Sequence, residues 1–379
     1  MKRKLLSAVL LSAVALAGCG ALAKTAAAEG SDIVIAAAGP MTGDLAVFGI
    51  QMRRGAQKAV ADINAAGGVL GKQLRLEIGD DGCKRKRAPD VADDLVERGA
   101  VFVDGHFCSD ASIPASSVYQ AAHVLQITPS SSNPALTEDA ASKGWKTLFR
   151  VCSRDDREGE FAGKWLSEHY RGKRVAIVYE RSLYGPMLAI AMRSAMNAGG
   201  LSEVLYEGIG PGQRDYSGIV SKLKEANPDA VYFAGHHPEA ALIVREMRAQ
   251  GVQAALFGSD ALETNEFATQ AGAAADGVMF TRDGDLRDLP TARQVVAALR
   301  QEGYEPEGYT LYSYAAVQVW ALAAAKAGST DAAKVADALR SQPWDTVIGT
   351  LQFDAKGDPT RQNYVWYVFK NGGYGPAGM

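Results

Sequence analysis

The stretch Ile33-Val34-Ile35-Ala36-Ala37-Ala38-Gly39-Pro40-Met41-Thr42-Gly43 is an apolar run that stops at a Gly-Pro pair. A buried strand followed by a loop reads this way. From Phe48 to Ala65 the period changes. Ala56, Ala59, Val60 and Ile63 fall on one helical face, and Gly67-Gly68 ends the helix. Leu74–Ile78 is again strand-like. Strand, helix and strand in immediate succession predict a parallel pair joined by a crossover helix.

Working outward, the same alternation continues. Ala88–Glu97 reads as a helix, Val101–Val103 as a strand, Ser112–Ala122 as a helix, and Val124–Ile127 as a strand stopped by Thr128-Pro129. A second series follows, with helices at Phe161–His169, Tyr184–Met196, Tyr216–Glu225 and Glu239–Gln250. Its strands are Val175–Tyr179, Val204–Tyr206, Ala230–Phe233, Leu256–Phe257 and Val278–Phe280. Two such series predict an α/β protein with two Rossmann-like lobes. The tail differs: Thr291–Gln301, Leu311–Ala327 and Ala332–Leu339 are successive helices, before strand-like runs at Val347–Phe353 and Tyr364–Phe369. Helices without intervening strands cannot start a third parallel sheet, so they are expected to pack back on an earlier lobe. The chain then crosses between lobes more than once.

The 379 residues exceed one typical domain, which also favours two lobes. Hydrophobic residues at 47% and charged residues at 22% suit a globular core, and a net charge of −3 gives no reason to expect nucleic acid as a partner. Lys2, Arg3 and Lys4 precede an apolar run from Leu5 to Ala17, too short for a comfortable membrane span, so residues 1–30 read as an export leader. Leu16-Ala17-Gly18-Cys19 resembles a bacterial lipobox, which would make Cys19 a lipidation site; ordinary cleavage near Ala26-Ala27-Ala28 is the alternative. Either places the mature protein in the periplasm. Cys83 and Cys108 each follow a predicted strand end. Parallel neighbouring strands would bring these ends together, so a disulfide is expected, against the alternative of two unpaired loop thiols. Cys152 is left as a buried small apolar side chain.

Ligands of open α/β sheets bind beyond the carboxyl ends of the strands. The loops there hold Ser109, Ser130, Ser131, Ser132 and Asn133 in the first series, and Tyr184, His236-His237 and Asp260 in the second. Hydroxyls and free N–H groups at a helix start can receive a carboxylate, and Asp260 can pair with an ammonium group. One lobe would hold each end of an α-amino acid. Ordinary helix capping is the competing account of Ser109, Ser132 and Asp260. His236-His237 near Glu239 is no metal motif, because the chain has five His and no spaced Cys/His cluster. Ala66-Gly67-Gly68-Val69-Leu70-Gly71-Lys72-Gln73 departs from a P-loop at its first and last positions, and no G-x-S-x-G occurs. His106 beside Cys108 could be imagined as a nucleophile pair, but a disulfide uses up the thiol. Lys84-Arg85-Lys86-Arg87, among Asp80, Asp81 and Asp90, reads as a solvated loop.

Met41-Thr42-Gly43, Ala59-Val60-Ala61-Asp62-Ile63-Asn64-Ala65-Ala66-Gly67-Gly68, Gly105-His106-Phe107-Cys108-Ser109, Ile127-Thr128-Pro129, Tyr184-Gly185, Gly308-Tyr309-Thr310 and Tyr314-Ala315-Ala316 together carry a family likeness. Over about residues 31–370 the chain resembles the branched-chain amino acid-binding proteins of ABC transporters. The resemblance implies a type I periplasmic binding fold with two lobes, a ligand cleft and three hinge crossovers. With it come lobes at 31–152 plus 283–360 and at 153–282 plus 361–379, and the Cys83–Cys108 disulfide. It further implies that Ser109, Ser130 and Ser132 hold the α-groups, with Ser131 in the same loop, and that Asp260 meets the ammonium. Tyr184, His236, Phe48 and Phe107 would line the pocket, and Asp155 lies at the first crossover. The chain departs from the family pattern with Asp260 for Glu, Phe48 and His236 for Tyr, and Ser132 for Thr, all of which bear on side-chain specificity.

The function expected is therefore capture of an amino acid, first of all Leu, Ile or Val, and delivery to the permease subunits of an ABC transporter, with no cofactor and no catalysis. A sensory ligand-binding protein for an amino acid or small amide is the alternative within the same fold; an exported α/β enzyme is the alternative outside it.

Overall fold

The computed structural model describes residues 32–361 and 363–378, so the expected leader and Cys19 lie outside the described residues. The first series runs β1 (Ile33–Gly39), α1 (Ala46–Ala65), β2 (Leu74–Asp80), α2 (Ala88–Glu97), β3 (Phe102–Gly105), α3 (Ser109–Ala121), β4 (Leu125–Thr128), α4 (Ala135–Ser142) and β5 (Leu148–Arg150). The second runs α5 (Asp155–His169), β6 (Val175–Glu180), α6 (Gly185–Ala198), β7 (Glu203–Ile209), α7 (Ser217–Ala226), β8 (Ala230–Ala234), α8 (His237–Ala249), β9 (Ala255–Gly258), α9 (Asn265–Ala271) and β10 (Met279–Asp283). The tail supplies α10 (Arg293–Gln301), α11 (Thr310–Ala327), α12 (Ala332–Arg340), β11 (Trp344–Thr346), β12 (Gly349–Leu351), β13 (Tyr364–Lys370) and β14 (Gly373–Pro376).

The first sheet has the order β2-β1-β3-β4-β5, with every pair parallel. β1 lies between β2 and β3, so Cys83 and Cys108 come from strands on either side of it rather than from direct neighbours. The disulfide still forms, with Cα atoms 5.5 Å apart, because all three strands end on the same edge. The second sheet has the order β14-β13-β10-β9-β8-β6-β7; β13 and β14 are antiparallel additions to a parallel core. The predicted run Val347–Phe353 is instead the second arm of a two-stranded hairpin, β11 with β12.

Each sheet has its own core. In β8, Val231 and Phe233 enter one cluster while Ala230, Tyr232 and Ala234 enter another on the opposite face. That is the two-residue period of a strand covered by helices on both sides. In the first lobe α11 is apolar almost all round and buried, as such a composition requires. Its Trp320 stacks on Phe102 of β3 at 4.9 Å. Gly55 of α1 lets this helix come close, since a Cβ there would collide with the Thr310 carbonyl. The successive tail helices thus return to the first lobe as their sequence implied. The chain passes between the sheets three times: from β5 to α5, from β10 toward α10 and α11, and from β12 to β13.

Candidate functional site

A cavity of about 600 Å³ opens between the lobes, at the carboxyl ends of β3, β6, β8 and β9. From the first lobe it is lined by Phe107, Ser109, Ser130 and Ser132, and from the second by Tyr184, His236 and Asp260. These are seven of the ten predicted binding residues, brought together from loops up to 153 positions apart in sequence, Phe107 to Asp260.

Three predicted residues do not line it. Phe48 is fully buried behind the wall, stacked on Phe107 at 4.6 Å and edge-on to Tyr309 at 5.6 Å. It fixes two rings that do reach the cavity. Ser131 points away: its hydroxyl contacts Ser112 at 2.5 Å and donates to the Phe107 and His106 carbonyls. Asp155 opens α5 behind Ser132, whose carbonyl accepts its N–H at 3.1 Å. Burial pushes the Asp155 carboxyl up to about 8, against the pull of the Ser132 hydroxyl.

Local geometry shows that neither Ser109 nor Asp260 caps the helix or turn it opens. Cys108 precedes α3 in an extended conformation, and no side chain caps that helix. Ser109 is its first residue, and its hydroxyl accepts from the Asn133 N–H at 3.3 Å, joining the two serine loops. Asp260 likewise follows an extended Ser259 and opens a short 3-10 turn without capping it. The Tyr184 hydroxyl sits 2.6 Å from Ser259 and 3.3 Å from the Asp260 carboxylate. Beneath Asp260, the Glu158 carboxylate accepts the Asp260 N–H at 2.9 Å and the Thr281 hydroxyl. Burial pushes Asp260 up to about 6; the Tyr309 and Tyr184 hydroxyls counter the rise and Asp283 adds to it. Around neutral pH, Asp260 is an ionised, poorly solvated carboxylate, which suits an ammonium partner.

Sequence reasoning missed several lining groups. Glu180, one residue beyond the predicted end of its strand, accepts from the ring and backbone of His236 at 2.8 and 3.1 Å. Burial opposes a charged His236 ring, but Glu180 outweighs it and lifts the imidazole to about 9. Burial also works to raise Glu180, and His236 in turn holds it below its ordinary value. Tyr309, inside the quoted Gly308-Tyr309-Thr310 motif, reaches the cavity from the start of α11. Arg150 does not line the cavity but shapes it. Its guanidinium donates to the Ser131 and Asn133 carbonyls at 2.8 and 3.1 Å and pairs with Asp358 at 2.7 Å. Nothing in a three-residue strand signals that role.

Lys84 to Arg87 are exposed, as their charge implied, but they stand on the cavity rim because the Cys83–Cys108 link ties their loop beside Ser109. His106 is structural: its ring lies between Asp81 and Tyr119 at 2.6 and 2.8 Å. Among the described residues no cluster of His, Cys, Asp and Glu could hold a metal ion, and no helix is long and apolar enough to cross a membrane.

Residues 32–373 match the family model for periplasmic binding proteins. The chain is 44% identical to an amino acid binding protein of Pseudomonas aeruginosa, covering 90% of this chain and 91% of that one. It is 40% identical to Leu/Ile/Val-binding protein homolog 1 of Brucella abortus, covering 99% and 98%. Among solved structures, the leucine binding protein LivK of Thermotoga maritima superposes with a TM-score of 0.82 at 26% identity, over 91% of this chain and 97% of that one. The branched-chain amino acid substrate binding protein LivJ of Streptococcus pneumoniae, in complex with isoleucine, gives 0.82 at 26%, over 90% and 97%. Sequence, fold and cleft agree, and the chain belongs to the periplasmic binding protein family.

Proposed function

We propose that this chain is the receptor component of an ABC transporter, which captures a free α-amino acid between its lobes and hands it to a membrane permease without chemical change. One observation carries the reading: serine hydroxyls on the first lobe face a carboxylate on the second across a single cavity. Ser109, Ser130 and Ser132 take the α-carboxylate, and Asp260 takes the ammonium. Tyr184, His236, Phe107 and Tyr309 form the walls. The lobes comprise residues 31–152 with 283–360 and 153–282 with 361–379. Export follows from the leader, with Cys19 as a lipid anchor. No cofactor takes part.

Branched-chain amino acids come first, since relatives at 40% identity are named for Leu, Ile and Val. A second reading of the side chain rests on the rim. Lys84, Arg85 and Lys86 face the cavity from one lobe and Arg181 from the other, and none of them forms an ion pair among the described residues. Cations approaching across a closing cleft repel each other, and an anionic far end on the ligand, as in glutamate, would relieve this. Calorimetric titration with leucine, isoleucine, valine, glutamine and glutamate tests both. Binding of any of these supports an amino-acid receptor, and glutamate bound more tightly than glutamine supports the anionic far end. No heat with any amino acid would sink the reading.

A further inference from the structure

Both polar groups of a single second-lobe peptide are held by the first lobe. The Leu183 N–H donates to the Asp110 carboxylate at 2.8 Å, and the Leu183 carbonyl accepts from the Asn133 amide nitrogen. Leu183 lies in the β6–α6 loop, with Tyr184, a cavity wall, as the next residue. On the first lobe, Asp110 immediately follows Ser109, and Asn133 immediately follows Ser132. Ser109 and Ser132, two of the serines facing the cavity, are thus each continuous with one arm of the clamp.

The Asn133 arm is held by contacts within its own lobe. The Asn133 side-chain oxygen accepts the Ala135 N–H at 2.8 Å, and its carbonyl accepts from Arg150 at 3.1 Å. Asn133 is 2% exposed, so its amide nitrogen has one direction to point. Asp110 leaves its own helix uncapped and gives its carboxylate to the other lobe. On the facing loop, the Ser182 hydroxyl accepts from the N–H groups of Tyr184 and Gly185 at 3.2 Å each, which fixes Leu183 between them. Another polar contact between the lobes, Asn265 N–H to Glu307 at 2.9 Å, is exposed and distant in sequence from the serines.

We infer that Asp110 and Asn133 latch the Leu183 peptide when the cleft closes, and that they set how long a bound amino acid stays. The latch rests on the amino-acid reading only for the ligand; the two hydrogen bonds stand without it. Contacts made only in the closed state shift the open–closed equilibrium and slow release, while encounter with the open lobe is unaffected.

The test uses the full mature chain with Asp110→Ala, Asp110→Asn and Asn133→Asp. The last keeps the oxygen that accepts from Ala135, so the turn survives, but it removes the donor to Leu183. Stopped-flow binding uses whichever of leucine, isoleucine, valine, glutamine or glutamate the unaltered protein binds most tightly. Release should quicken about tenfold in Asp110→Ala and Asn133→Asp, in line with the loss of a charge-assisted or buried hydrogen bond. Association should stay within threefold, and Asp110→Asn, which retains an acceptor, should recover part of the difference. Unchanged release in both variants, or slower association in place of faster release, overturns the latch. Should the unaltered protein bind none of these amino acids, the functional reading fails by itself. Small-angle X-ray scattering of the unliganded proteins then decides the latch: a more open average form in the two variants supports it, and identical profiles overturn it.

Discussion

Ser131 and Ser132 are adjacent, chemically identical and buried, yet they face opposite ways. Ser132 lines the cavity, whereas the Ser131 hydroxyl is spent on the carbonyls of the loop after β3. On the proposed function, the pair therefore separates ligand binding from folding. Ser132→Ala should weaken amino-acid binding by more than tenfold, read by calorimetry, with little change in the unfolding midpoint. Ser131→Ala should do the reverse, lowering stability by about 1 kcal/mol while binding stays within threefold. Equal effects of the two on binding would refute the assignment of Ser132. Asp260→Ala should also cost more than tenfold in affinity, because an ammonium buried without its carboxylate is poorly compensated. Side-chain direction of this kind follows from the turn that closes β4, where Ser130 and Ser131 both donate their N–H groups to the Thr128 hydroxyl. A run of three serines carries no trace of it.

The loop between β2 and α2 carries a basic run, and the disulfide pins that run beside the start of α3. The link closes a loop of 25 residues' separation, so its removal frees the unfolded chain far more than it disturbs the native contacts. Cys83→Ser with Cys108→Ser should lower stability by roughly 3–4 kcal/mol on the loop-entropy model, seen as a lower midpoint in urea; an unchanged midpoint argues against it. At β5, Arg150→Ala would leave Asp358 with Arg154 and Thr137 as its side-chain partners among the described residues and release the serine-loop carbonyls. A loss of about 3 kcal/mol is expected, with weaker ligand binding by titration as a second readout. These two cases mark how much of the molecule was legible in the sequence. The long elements were, since β-branched runs and three-to-four spacing dominate them: the predicted Ala88–Glu97 is α2. So were the sheet edge that bears the cavity and seven of the residues that line it. α4 and β5 were not, because eight residues and three residues are too short to establish a period. Glu180 and Tyr309 escaped because a strand end and a helix start shift by a residue or two without any change in pattern.

At the scale of the whole molecule, buried acids gather around the cavity and the first crossover, and their shifts predict that stability and binding respond oppositely to pH. Burial lifts Asp155 and Glu263 to about 8 and Asp260 to about 6. A carboxyl raised by folding keeps its proton longer in the native state. Its contribution is therefore complete below the unfolded value near 4 and is lost as pH rises through 6 and then 8. His236, raised to about 9 by Glu180, acts in the same direction: its pairing with Glu180 stabilises below about 6.5 and is lost as pH passes 9. Glu180 and Asp358, both held below their ordinary values by cationic partners, protect the fold above the usual carboxylate range and fail it in acid. The unliganded protein should thus melt highest near pH 5 and progressively lower toward pH 9. Ligand affinity should follow the opposite course, since an ammonium group needs Asp260 ionised, and that requires pH above about 6. A ligand at one hundred times its dissociation constant adds about 2.7 kcal/mol. With ligand concentration held fixed, the melting shift it produces should therefore be small at pH 5 and larger at pH 8, where the unliganded protein is weaker. Thermal melts with and without the amino acid across pH 5–9 measure both curves. Parallel curves would mean that Asp260 does not meet the ammonium, and an unliganded midpoint rising toward pH 9 would mean that the buried acids are ionised throughout.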